Sequence, residues 1–143
     1  TTVMPFIPQT EKSFPHNEGD LLLSFNEKEK AFYITKVLKI EKLLMKKGDI
    51  KNIAGHSIQA PEEDFFLIVA VKWTDAVYAD AAKARAAAAQ GELPWKYLHI
   101  PMRPSGLLAE NNEMIGHQPV TSEELTLYYD WKSLFDKGEA GVW

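Results

Sequence analysis

Four histidines, at positions 16, 56, 99 and 117, are the residues of this chain best suited to acid–base or metal chemistry. They stand alone. No H-E-x-x-H places two imidazoles on one helix face, and no cysteine supplies a thiolate, so the local spacing of a zinc site is absent. The lack of cysteine also excludes a thiol nucleophile and a disulfide framework. The eight glycines are too dispersed for a phosphate-cradling loop, and no G-x-S-x-G elbow presents a serine. The sequence therefore predicts no cofactor and no metal.

Two histidines remain as candidates. His99 lies on an aromatic stretch, where a hydrogen-bonded, half-buried role competes with that of a base. His117 follows Gly116 in a loop just ahead of a helix start, where function concentrates and anions are favoured, although Gly-His-Gln-Pro is also a turn. An enzyme built on either would need a carboxylate beside it, Glu113 or Glu123 for instance. Large aromatics are the other resource, because they dominate binding hot spots. Tyr128 and Trp131 are assigned to the core by their spacing. Trp73, Trp95 and Trp143 are less determined, and with His99 and His117 they form the candidate binding residues. The acidic groups Glu62, Glu63 and Asp64, and again Glu110, Glu113, Glu123 and Glu124, can form acidic surfaces.

The elements that must position these residues are legible in outline. The 143 residues, 45% hydrophobic and 25% charged, suit one domain over 1–143. Residues 1–18, with Pro5, Pro8 and Pro15, predict an extended arm pinned by Val3, Phe6, Ile7 and Phe14. Leu21 to Phe25 and Ala31 to Ile40 predict a hairpin, continuing through Met45 to a turn at Lys47-Gly48-Asp49. Ile50 to Ile53 and Ser57 to Ala60 are short strands separated by Gly55 and His56. Phe65 to Lys72 is apolar enough for a central strand buried on both faces. Nine alanines between Ala76 and Gln90 predict a peripheral helix capped by Thr74 or Asp75 and ended by Gly91. Trp95 to Met102 is a further strand, Arg103 to Gly106 a turn, and Glu110 to Pro119 irregular. Thr121 with Glu124 forms a capping box, opening an amphipathic helix to about Asp136 with Leu127, Tyr128, Trp131, Leu134 and Phe135 on one stripe. The fold class expected is α+β: an antiparallel sheet or small SH3-like barrel, with a peripheral Ala-rich helix and a C-terminal amphipathic helix.

Gly19-Asp20-Leu21-Leu22-Leu23, followed by Ala31-Phe32-Tyr33-Ile34-Thr35-Lys36-Val37-Leu38, resembles the opening hairpin of bacterial toxin-immunity proteins with an SH3-like barrel. The resemblance is confined to residues 19–38. It implies a barrel and a non-catalytic inhibitory role, and carries over no site residue.

The function expected is a non-enzymatic protein-binding module, an immunity or inhibitor protein in the form the resemblance implies. The net charge of −4 suits a basic protein partner and argues against nucleic acid. The alternatives are a small-ligand protein or enzyme with a His/carboxylate pocket, and a weak nucleic-acid binder using Lys36 to Lys51 with Phe32 and Tyr33. The same lysines are expected to be solvated strand faces. No apolar run approaches the roughly 18 residues of a membrane span, and no signal peptide is visible. A soluble, cytoplasmic protein is expected, with the periplasm or secretion left open.

Overall fold

The computed structural model describes residues 7, 9–53, 56–108 and 113–143. Val3, Pro5, Phe6, Pro8, Gly55 and Glu110, which carried expectations above, lie outside them.

The long apolar and β-branched runs pair as the sequence predicts. Strand β1 (Asp20–Asn26) and strand β2 (Ala31–Met45) form the antiparallel hairpin, and β2 continues along strand β5 (Asp64–Thr74). Strand β6 (Trp95–Met102) adds beyond β5, and strand β7 (Glu113–His117) adds beyond β1, giving the order β6-β5-β2-β1-β7. Strands β3 (Ile50–Ile53) and β4 (His56–Gln59) make a second hairpin, and β8 (Gly141–Val142) pairs with β3 in parallel. The fold is α+β on a mostly antiparallel sheet. The pairings do not confirm the barrel alternative: among the described residues they give two sheets, and no pairing closes either into a ring. The centre of the large sheet is β2, with β5 beside it.

Two helices cover one face. Helix α1 (Ala81–Gln90) lays Ala84 and Ala88 on Leu21, Leu23 and Ile34; the small side chains bring it close to the sheet. It starts later than propensity suggests and is capped by Asp80, whose Oδ1 accepts from the Lys83 N–H at 2.9 Å. The reason is tertiary: Tyr78 pairs with Phe32 through two backbone hydrogen bonds, which holds the preceding segment extended. Helix α3 (Ser122–Asp136) begins with the expected Thr121–Glu124 capping box. Its Tyr128 packs on Leu38 and Ala70, and its Phe135 on Met45, Phe66 and Ile68. Leu127 and Leu134, assigned to the same stripe, are exposed.

Glu124 does more than cap. Oε1 accepts from the Thr121 N–H at 2.9 Å and from Lys36 Nζ at 2.9 Å, and Oε2 meets Lys72 Nζ at 2.7 Å. Lys36 and Lys72 are register partners on β2 and β5, so one carboxylate binds the start of α3 to two strands. Burial raises the Glu124 pKa, but the bonds from Lys72, Lys36 and Thr121 outweigh it and hold the pKa down at about 2. This corrects the expectation of a uniformly solvated lysine face. Lys36 is 3% exposed, Lys42 lies 4.2 Å over Phe65, and Lys51 lies 5.1 Å over Phe135.

The opposite face is covered by Phe14 and by the short helix α2 (Pro104–Leu108), which replaces the expected turn and contributes Leu107 to a cluster with Leu22, Val37, Val69 and Val71. The arm is not wholly extended. Gln9–Glu11 form a 3-10 turn that buries the Glu11 carboxylate against Arg103 at 3.0 Å and the Ser105 hydroxyl at 3.0 Å. The stretch expected to be irregular contains β7, a short bulged edge strand with little apolar content to announce it. No helix among the described residues is long and apolar enough to cross a membrane.

Candidate binding cleft

Three adjacent strands bring three aromatic rings into one row. Thr35 on β2 pairs with Trp73 on β5, and Trp73 pairs with Tyr97 on β6. Tyr33 stands two residues from Thr35 and shares its face by the period of a strand. The ring centroids are 5.8 Å apart for Tyr33–Trp73 and 5.7 Å for Trp73–Tyr97, each pair edge to face. Phe14 and α2 cover the rest of this sheet face, where Trp73 packs on its margin. The aromatic end stays open, and Tyr97 is 47% exposed.

These rings line a cleft of about 250 Å³ whose charged walls are Glu29, Asp75 and Lys96. Glu29 belongs to the β1–β2 turn, where its N–H is held by Asn26 Oδ1 at 2.9 Å. Asp75 follows the last residue of β5, and that junction is tied down. The Thr74 hydroxyl is buried, accepts from the Ile34 N–H at 3.1 Å and donates to the Asp75 carbonyl at 3.0 Å. The cleft is thus built on strands and on a loop with fixed backbone, the arrangement that holds a site in one geometry.

Its electrostatics are unbalanced toward anion. Asp75 Oδ1 accepts from the Ala76 N–H at 2.9 Å and meets Lys96 Nζ at 3.4 Å. The Glu29 carboxylate has no cationic partner among the described residues. Lys96 Nζ sits 5.4 Å from the Tyr97 ring centre. Aromatic faces beside carboxylates attract cations, the rings through their quadrupoles and the carboxylates through charge. The cleft holds no histidine or serine to act as base or nucleophile.

Of the five candidate residues, Trp73 alone lies in this cleft. Trp95 is on the other face of the sheet, beneath Lys72 Nζ at 4.3 Å and against the α1 cluster. His99 is wedged beside Tyr128 and Trp131, with ring centroids 6.0 and 5.9 Å away. Its Nε2 is buried without a hydrogen-bond partner among the described residues, and burial pushes its pKa down to about 4. It is neutral at neutral pH. His117 places Nδ1 3.1 Å from Asp20 Oδ1, with its ring against Gly19. The carboxylates expected beside a histidine are elsewhere: Glu113 pairs with Arg85 at 2.6 Å, and Glu123 borders a hollow with Leu98 and Leu127. Trp143 is fixed by its backbone, N–H to the Pro101 carbonyl at 3.0 Å and carbonyl from the Arg103 N–H at 2.7 Å. Its indole is 64% exposed, at the rim of a cavity of about 280 Å³ shared with Trp131 and Asn52.

The five are therefore scattered. Of the residues that complete the aromatic row, Tyr33 entered the sequence analysis only with Phe32 in the nucleic-acid alternative, and Tyr97 was not a candidate. Alternation along β6 would put Tyr97 on the face of Trp95 and His99, but register shifts on both sides of Trp73 turn it to the opposite face, beside Trp73 and Tyr33. Among the described residues, no group of three or more His, Cys, Asp or Glu is placed to hold a metal ion. No family model, no curated protein and no solved structure matches the chain.

Proposed function

We propose that this chain is a non-enzymatic protein-binding module that engages a basic partner through the open aromatic end of its large sheet. The observation that carries the reading is the row Tyr33–Trp73–Tyr97 flanked by Asp75 and Glu29. Tyr97 is exposed and Tyr33 and Trp73 are half-buried; accessible aromatics on a rigid frame are the residues from which hot spots are made, and carboxylates at their rim speed capture of a positively charged protein. The overall charge of −4 acts in the same direction. An immunity or inhibitor role, implied by the likeness of residues 19–38, is the form of this activity in which the bound partner is silenced.

The pocket-enzyme alternative has weaker support. Its nearest approach to a catalytic pair, His117 with Asp20, sits on an edge strand with the imidazole half exposed, and neither His99 nor His117 lines any of the three cavities described.

The test is a parallel capture from lysate of the source organism with the wild-type chain and the Tyr97→Ala variant, at low and moderate salt. The expected result is one stoichiometric basic protein, held by the wild type, weakened by salt and lost by the variant. A partner indifferent to Tyr97, or none in either condition, refutes the proposal.

A further inference from the structure

Resting on that reading, we infer that the cleft receives a single arginine side chain of the partner, and that Lys96 is a built-in competitor which the arginine displaces. The shape of the cleft favours a flat cation. Trp73 stands between Tyr33 and Tyr97, and both neighbours meet it edge to face at under 6 Å, as their centroid separations of 5.8 and 5.7 Å show. A ligand lies along this row, not between its rings. A planar guanidinium can stack on such a row and direct its N–H fork at a carboxylate; a compact ammonium can do the first poorly and the second at one point. Asp75 lines the cleft beside the row, its Oδ1 shared between the Ala76 N–H and Lys96, and Glu29 offers a second carboxylate from the adjoining turn.

The competitor is visible in place. Lys96 already brings a cation to Asp75 and to the Tyr97 face, which shows what charge the site accepts. Its hold is loose. The Nζ–Oδ1 distance is 3.4 Å, and the two side chains are 50% and 53% exposed. Exposed pairs of that kind contribute little, so a better-shaped cation takes the carboxylate and Lys96 turns to solvent. Lys96 then works as a filter. It opposes weak cations by holding Asp75 and by its own repulsion, and yields to one that also gains the aromatic row.

The probe is the peptide N-acetyl-Gly-Arg-Gly-amide, with its lysine and citrulline counterparts, titrated against the full chain while the Trp73 indole N–H is followed by NMR. Arginine is expected to shift that signal at millimolar concentration, lysine more weakly and neutral citrulline not at all. Lys96→Ala is expected to tighten arginine binding by roughly threefold to tenfold, and Asp75→Asn to weaken it by a similar factor. Both positions are exposed, so the variants keep the fold, which their melting curves verify. Equal shifts by citrulline, or arginine binding unchanged or weakened by Lys96→Ala, overturn the inference. Partner capture that depends on Tyr97 but not on Asp75 or Lys96 does the same and leaves the protein-binding reading standing.

Discussion

Glu124→Gln isolates the charge that fastens α3 to the sheet. Glutamine keeps an amide oxygen for the Thr121 N–H, so the cap survives; only the attraction for Lys36 and Lys72 is removed. The folded carboxyl is held at about 2 against an ordinary 4.5, which corresponds to roughly 3 kcal/mol as an upper figure, and less once solvent screening is allowed. A second cost adds to it. The Lys36 and Lys72 side chains are only 4% and 12% exposed, and a buried charge that loses its partner destabilises by about 3–5 kcal/mol. The two figures overlap in origin, so the expected loss at neutral pH is about 3 kcal/mol, measured as the shift in urea unfolding free energy.

The pH dependence supplies the sharper test. Because the folded pKa is depressed, the stabilisation is complete above pH 4.5 and is lost as pH falls through about 2. The gap between wild type and Glu124→Gln should therefore stay constant from neutral pH to the upper bound and close toward the lower. Lys36→Met in the Glu124→Gln background should recover much of the loss, since it removes the stranded charge. A gap below about 1 kcal/mol at neutral pH, or one that does not narrow in acid, would refute the assignment of this ion triad as the clamp on α3.

His99→Phe should flatten a different part of the acid limb. Burial keeps the folded imidazole at about 4 against 6.5, so the unfolded chain takes up the extra proton and wild-type stability falls as pH drops from the upper value through the lower, by less than about 3 kcal/mol because solvent screens this half-buried ring; the phenyl ring should abolish that slope in urea titrations. Gly19→Ala should destabilise by roughly 2–4 kcal/mol, read from the thermal midpoint. Gly19 has φ +91°, and a Cβ there would meet His117 Cε1 at 2.6 Å and the Gln118 carbonyl at 2.8 Å.

What the sequence revealed of this fold divides by range of interaction. Local signals succeeded: the Thr121–Glu124 box, Gly91 at the end of the alanine helix, the β1–β2 hairpin and the run to Met45 are written in neighbouring residues. Long-range effects were hidden. Propensity started α1 too early because nothing near Tyr78 signals its pairing with Phe32. Strand β7 and the tail strand β8 are short and borrow their partners from distant segments. Lys36 looked like any solvated strand lysine, and its burial depends on a carboxylate 88 residues away. The cleft suffers from the same limitation. Trp73 was recognisable as a spare aromatic and Tyr33 entered the nucleic-acid alternative, but the strands that carry the row are separated by β3, β4 and α1, and nothing local sets the three rings together.

The exposure of that row is informative because the same sheet face is covered elsewhere. Phe14 and Leu107 bury Val37, Val69 and Val71, so the fold has the means to cover an apolar strand surface and stops short of Tyr97, leaving Trp73 half-buried. Charge shows a parallel pattern. Several cations are committed within the molecule: Lys12 to Asp64, Lys36 and Lys72 to Glu124, Arg85 to Glu113, Arg103 to Glu11. With 20 acidic against 16 basic residues, some carboxylates must go without. Glu29 is one, at the rim of the aromatic row, and Asp75 beside it, which also accepts from the Ala76 N–H, has a loose contact with Lys96 as its one ion pair among the described residues. Part-exposed aromatic surface and weakly committed negative charge meet in this cleft, and that pairing is the ground for proposing a cationic side chain from outside as its ligand.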